Sequence, residues 1–61
     1  MLVVTNVTNL RSTFVVAKIK AIEEVKTFIH VAFMEEDADH PGHYDIMDKF
    51  GNLFTVEPEK C

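Results

Sequence analysis

Between Glu35 and Asp45 the sequence reads EEDADHPGHYD, five carboxylates and two imidazoles in eleven positions. Zinc takes nitrogen and oxygen donors in a tetrahedron, so His40 and His43, completed by Asp39, form the candidate metal set. A hard ion such as calcium would use carboxylates alone, but EEDAD lacks the alternating oxygen ligands and the central glycine of an EF-hand loop. Asp39, His40, His43 and Asp45 are also the groups that could exchange protons near neutral pH. Against both chemistries stands Pro41-Gly42, a turn signal that puts these groups on an exposed loop, and a chain this short has little volume to enclose a catalytic pocket. The preferred expectation is therefore a solvated acidic loop over 35–43 with no cofactor, and zinc held by His40, His43 and Asp39 is the alternative. His30 sits in an apolar run and is expected as a core or edge histidine with a hydrogen-bonded neighbour.

The elements that must carry this loop are less plain. Leu2-Val3-Val4-Thr5 is β-branched and reads as a short strand. RSTFVVAKIKAIEEVK satisfies two periods. As a helix capped by Asn9 or Ser12 it aligns Val15, Ile19 and Ile22; as a strand it aligns Val15, Ala17, Ile19 and Ala21. Glu23-Glu24 does not suit a tight hairpin, which tips the expectation for residues 12–24 toward helix. Thr27 to Met34 is dense in β-formers with apolar residues on both faces, the pattern of a central strand covered on each side. Tyr44 to Glu57 reads as a hairpin turning at Gly51-Asn52, and Pro58 ends its ladder. The order strand-helix-strand-strand-strand predicts one α+β domain over 1–61, a small antiparallel sheet with one helix packed on it. The alternative is an all-β, five-stranded, barrel-like domain.

Composition narrows the function classes. A chain of 61 residues that is 48% hydrophobic folds around a thin core, and its surplus apolar surface points to association. The net charge of −4 opposes binding to nucleic acid or to anionic membrane surfaces. No apolar run approaches the ~20 residues of a membrane span. The opening MLVVTNVTNLRS lacks a basic region before its apolar run, so no signal peptide is expected. Cys61 is the one cysteine, which rules out an intramolecular disulfide and suits the cytoplasm. No nucleophile elbow, phosphate loop or dinucleotide fingerprint occurs, so no enzyme is expected. These readings converge on an acidic interaction module, a homodimer or the binder of a protein partner, with Phe28, Val31, Phe33, Phe50 and Phe54 as interface candidates. The alternative is a metal-binding accessory protein using the acidic and histidine loop 35–45.

Overall fold

The computed structural model describes residues 1–59; Cys61, the one thiol, lies outside the described residues. Five strands form one antiparallel sheet: β1 (Leu2–Asn6), β2 (Phe14–Ile19), β3 (Val31–Glu36), β4 (Tyr44–Asp48) and β5 (Leu53–Pro58), with a 3-10 helix over Ile22–Thr27 between β2 and β3. The spatial order is β2-β1-β5-β4-β3. Every consecutive pair of strands is hydrogen-bonded except β2 and β3, which are the two edges, while β1 and β5 join the two ends of the chain. The extents of 30 × 24 × 23 Å are far from those of a flat sheet about 10 Å thick, so the sheet is curled. The 3-10 segment crosses from one edge to the other and closes the concave side.

The α+β expectation, with its helix over 12–24, is therefore corrected: that segment is strand β2 followed by the start of the 3-10 turn. Strand count follows the all-β alternative. The β-branched pair Val15-Val16 resists helix and favours extended backbone. Asn9 does take up backbone donors, but it caps a turn: its side chain accepts the Arg11 N–H at 3.0 Å and its carbonyl accepts the Ser12 N–H at 2.9 Å. The Glu23-Glu24 pair, unsuited to a hairpin, serves a different junction. One oxygen of the Glu24 carboxylate accepts the N–H groups of Lys20 at 2.7 Å and Ala21 at 2.8 Å, closing the end of β2 onto the 3-10 helix. The Ala21 bond first and the Lys20 bond second hold the Glu24 carboxyl below the usual glutamate range.

The expectation for 27–34 also changes. Residues up to Thr27 are 3-10, β3 begins at Val31, and it is an edge strand open to solvent on one sheet face. It runs on through Glu35 and Glu36, where the sequence suggested a loop. Solvated edges tolerate carboxylates, and the Glu36 side chain accepts the Gly42 N–H at 3.1 Å across the hairpin.

Both edge strands carry a bulge. Pairing of β2 with β1 passes from Ala17↔Val4 to Val15↔Thr5, leaving Val16 unpaired, and pairing of β3 with β4 passes from Val31↔Asp48 to Phe33↔Met47, leaving Ala32 unpaired. A single inserted residue reverses the facing of the residues beyond it. Val31 and Phe33 would share a face in a regular strand, yet Val31 packs against the core and Phe33 points out. The core comprises Val4, Ile19, Val25, Ile29, Ile46, Phe54 and Val56 on the concave side.

Ile46 is among the largest fully buried side chains, so Ile46→Ala should cost about 2–5 kcal/mol, comparable to the whole stability of ~3–5 kcal/mol available to so small a scaffold. The variant is expected to be largely unfolded by circular dichroism at 25 °C. Gly51 has φ +87° with nothing within 4 Å of a built Cβ, so Gly51→Val meets backbone strain without a clash. Chemical denaturation should show a loss of about 1–3 kcal/mol.

Candidate binding surfaces

The acidic stretch forms the β3–β4 hairpin loop, and its polar groups are largely spent on the loop itself. Asp37 N–H donates to the His43 carbonyl at 2.8 Å, while His40 N–H donates to the Asp37 carbonyl at 3.2 Å and His43 N–H to the His40 carbonyl at 3.0 Å, giving two successive turns. The Asp37 carboxylate accepts the Asp39 N–H at 2.9 Å and lies 3.2 Å from His40 Nδ1. That backbone bond from Asp39 is the chief reason the Asp37 carboxyl is held low; partial burial opposes it, and the hydrogen bond and charge of His40 assist. Gly42 adopts φ +87° and lies close to Pro58, where a Cβ would approach the ring at 3.2 Å. The loop thus folds back on the end of β5.

His40 and His43 come together, ring centroids 5.5 Å apart and edge to face. His43 Nδ1 lies 4.0 Å from a carboxylate oxygen of Glu57 on β5. Asp39 is not brought to this pair as a third ligand, and no group of three or more His, Cys, Asp or Glu able to hold a metal occurs among the described residues. Asp45 points away from the loop, on the convex sheet face opposite Glu35 and Thr55.

The interface candidates separate. Phe54, 8% exposed, is core. Val31 is half-buried against it. Phe28 and Phe50 are exposed beyond the end of the 3-10 helix and in the β4–β5 turn, and Phe33 alone of the five stands on the convex face. Strand register places Phe33 beside Met47, Met47 beside Leu53, and Leu53 beside Val7, whose N–H donates to the Leu53 carbonyl at 2.9 Å. Phe33, Met47 and Leu53 are 52%, 40% and 44% exposed. Together with Val7, Asp45 and Thr55 they line a shallow depression of about 270 Å³.

Met47, Leu53 and Val7 escaped the sequence reading because single aliphatic residues beside a buried partner look like ordinary alternation. Pairing the two strands about Gly51 would have set Met47 opposite Leu53. The next row across the same face is Val15, Thr5, Thr55, Asp45 and Glu35, so two carboxylates stand directly opposite each other beside the apolar row. Lys18, on this face, is already ion-paired with Glu59.

At the other end of β4, Asp48 is 7% exposed and organises the turn to β5. Its carboxylate accepts the Phe50 N–H at 2.9 Å, the Asn52 N–H at 2.8 Å and the Asn52 side-chain amide at 2.9 Å. Burial pushes its pKa up, but the side-chain and backbone bonds from Asn52, the Phe50 bond and the charge of His30 together outweigh burial and leave it below the usual aspartate range. His30 packs edge-on against Phe50 at 5.8 Å, and its carbonyl accepts the Lys49 N–H at 3.0 Å.

No protein-family model, curated protein or solved structure matches this chain. No helix among the described residues is long and apolar enough to cross a membrane.

Because the Asp48 carboxyl titrates lower folded than unfolded, its stabilising contribution is complete above the unfolded aspartate value near ~3.9 and is lost as pH falls through the folded value. The thermal midpoint should therefore drop as pH is lowered from 5 toward 2. Asp48→Asn should lower the midpoint at pH 7 and flatten that acid limb, read by thermal circular dichroism across the pH series.

Proposed function

We propose that this chain is a non-enzymatic protein-binding module that docks its partner on the convex face of the sheet, over Val7, Leu53, Met47 and Phe33. The observation that carries the reading is this apolar row, running across three neighbouring strands to Val7 just past the end of β1 and left uncovered by any element among the described residues. Scattered exposed apolar residues are ordinary, whereas a contiguous row lining a depression is the character of an interaction site. Both sheet edges are bulged, and β3 ends in Glu35-Glu36, so strand addition at an edge is disfavoured and the face is the better surface.

Charge decides between a second copy and a different protein. Glu35 and Asp45 repel each other directly across the β3–β4 pair. Lys18 is committed to Glu59, so a second copy packed face to face would add carboxylates without a spare cation to meet them. A partner segment that sets a bulky apolar side chain beside Lys or Arg satisfies both rows at once. The candidates for proton transfer, Asp39, His40 and His43, lie on a loop closed by its own hydrogen bonds, which supports binding over catalysis.

Selection of phage-displayed random peptides on the intact chain, counter-selected on a Phe33→Ser/Met47→Ser variant, should enrich sequences pairing Lys or Arg with a bulky apolar residue. Asp45→Lys should weaken the selected peptides about three- to tenfold at low salt and leave the thermal midpoint near the wild-type value. Acidic consensus peptides, or equal binding by the double variant, would overturn the assignment. A dimer mass by light scattering that Phe33→Ser/Met47→Ser abolishes would transfer the face to a second copy.

A further inference from the structure

On the side away from the convex face, the end of the 3-10 helix, the start of β3 and the β4–β5 turn enclose an open cleft of about 620 Å³. Its floor is the margin of the core, Ile29, Val31 and Met34, and its rim carries Lys26, His30 and Lys49. We propose that this cleft binds a small amphiphilic anion, a carboxylate or phosphate bearing a hydrocarbon body, with the charge on the Lys26, His30 and Lys49 rim and the hydrocarbon on Ile29, Val31 and Met34.

Charge complementarity and shape argue for this occupant. The chain has a net charge of −4 and only six Lys and Arg, yet two of those lysines and one of three histidines converge on one cleft. Among the described residues the ion pairs formed are Lys18 with Glu59, His40 with Asp37 and His43 with Glu57, so none of the rim groups is ion-paired with a described residue. Lys49 Nζ instead rests 5.3 Å over the exposed Phe50 ring. Asp48, whose carboxylate feels the charge of His30, is buried and already accepts three hydrogen bonds, and it forms no ion pair with either lysine of the rim. Small-molecule sites combine apolar surface with a few convergent polar groups in volumes of roughly 300 to 1,000 Å³. This cleft falls in that range, is open to solvent and divides its lining about evenly between polar and apolar surface. An inorganic anion alone would leave the floor wet, and an uncharged hydrocarbon would leave the cations without a partner. The site is separate from the convex face, so each surface stands or falls alone.

The probes are 8-anilinonaphthalene-1-sulfonate and N-phenyl-1-naphthylamine, which share a body and differ in the sulfonate. Titrated into the folded chain, the sulfonate should bind at one site about tenfold more tightly than the neutral amine and shift the backbone amide resonances of residues 26, 29–31, 34 and 49. Lys26→Gln/Lys49→Gln should weaken it about tenfold, whereas Lys18→Gln, which lowers the net charge on the other face, should not. Dodecanoate and dodecyl phosphate should each displace it, and their ratio reports which headgroup the rim prefers. Equal affinity for the two probes, equal weakening by Lys18→Gln, shifts centred on Phe33, Met47 and Leu53, or no binding of the sulfonate would overturn the proposal. Thermal midpoints of the variants near that of the parent chain separate loss of the site from loss of the fold.

Discussion

The pairing of β1 with β5 is the interaction on which the remainder depends. In the order β2-β1-β5-β4-β3 it is the one junction between an N-terminal hairpin and a C-terminal three-stranded meander. Its centre is Val4 opposite Val56, both shielded from water. Neither half can bury its concave face alone, since an isolated hairpin is marginal and the three-stranded meander by itself leaves Ile46, Phe54 and Val56 without Val4 and Val25 to pack against. Closing the chain across about fifty residues carries a loop-entropy cost that grows only slowly with length, and burial of Val4, Val56 and Phe54 offsets it. Once the two halves join, the sheet curls, and its edges come to lie on either side of the segment that connects them.

That segment explains how so short a chain completes a core without a long helix. The two edges are covalently linked through 20–30 but not hydrogen-bonded, and the 3-10 turn and the residues just after it drop Val25 and Ile29 into the gap between them. Glu24 fixes where the turn begins, and the Val25 carbonyl, accepting from both Phe28 and Ile29, fixes where it ends. Asp48 plays the matching role at the β4–β5 turn, a buried acceptor that meets donors from Phe50 and Asn52. Two carboxylates therefore set the ends of elements, while those of the 35–45 stretch serve mainly the solvated hairpin.

The curled sheet leaves two surfaces of opposite character. The convex face combines an apolar row with the mutually repelling Glu35 and Asp45. The cleft on the other side combines an apolar floor with Lys26, His30 and Lys49. Both arise where apolar residues at the margin of a thin core cannot be covered by a chain of 61 residues, a consequence of the unfavourable ratio of surface to volume at this size.

Local chemistry was legible in the sequence wherever it is local in the structure. The first strand, the positive φ of Gly51, the end of β5 at Pro58 and the loop around Pro41-Gly42 each follow from the residues that form them. What the sequence could not determine was the facing of side chains beyond a bulge. Val16 and Ala32 are unremarkable residues, and their insertion is defined only by the partner strand, yet it turns Val15 and Phe33 to the convex face and takes Phe33 out of the core pattern. The choice of strand over helix for 14–19 was likewise made by β1, which offers that segment a ladder and leaves a helix there without a face to bury. The convex apolar row and the cationic cleft depend on registers and crossings between distant segments, and so belong to the tertiary structure alone.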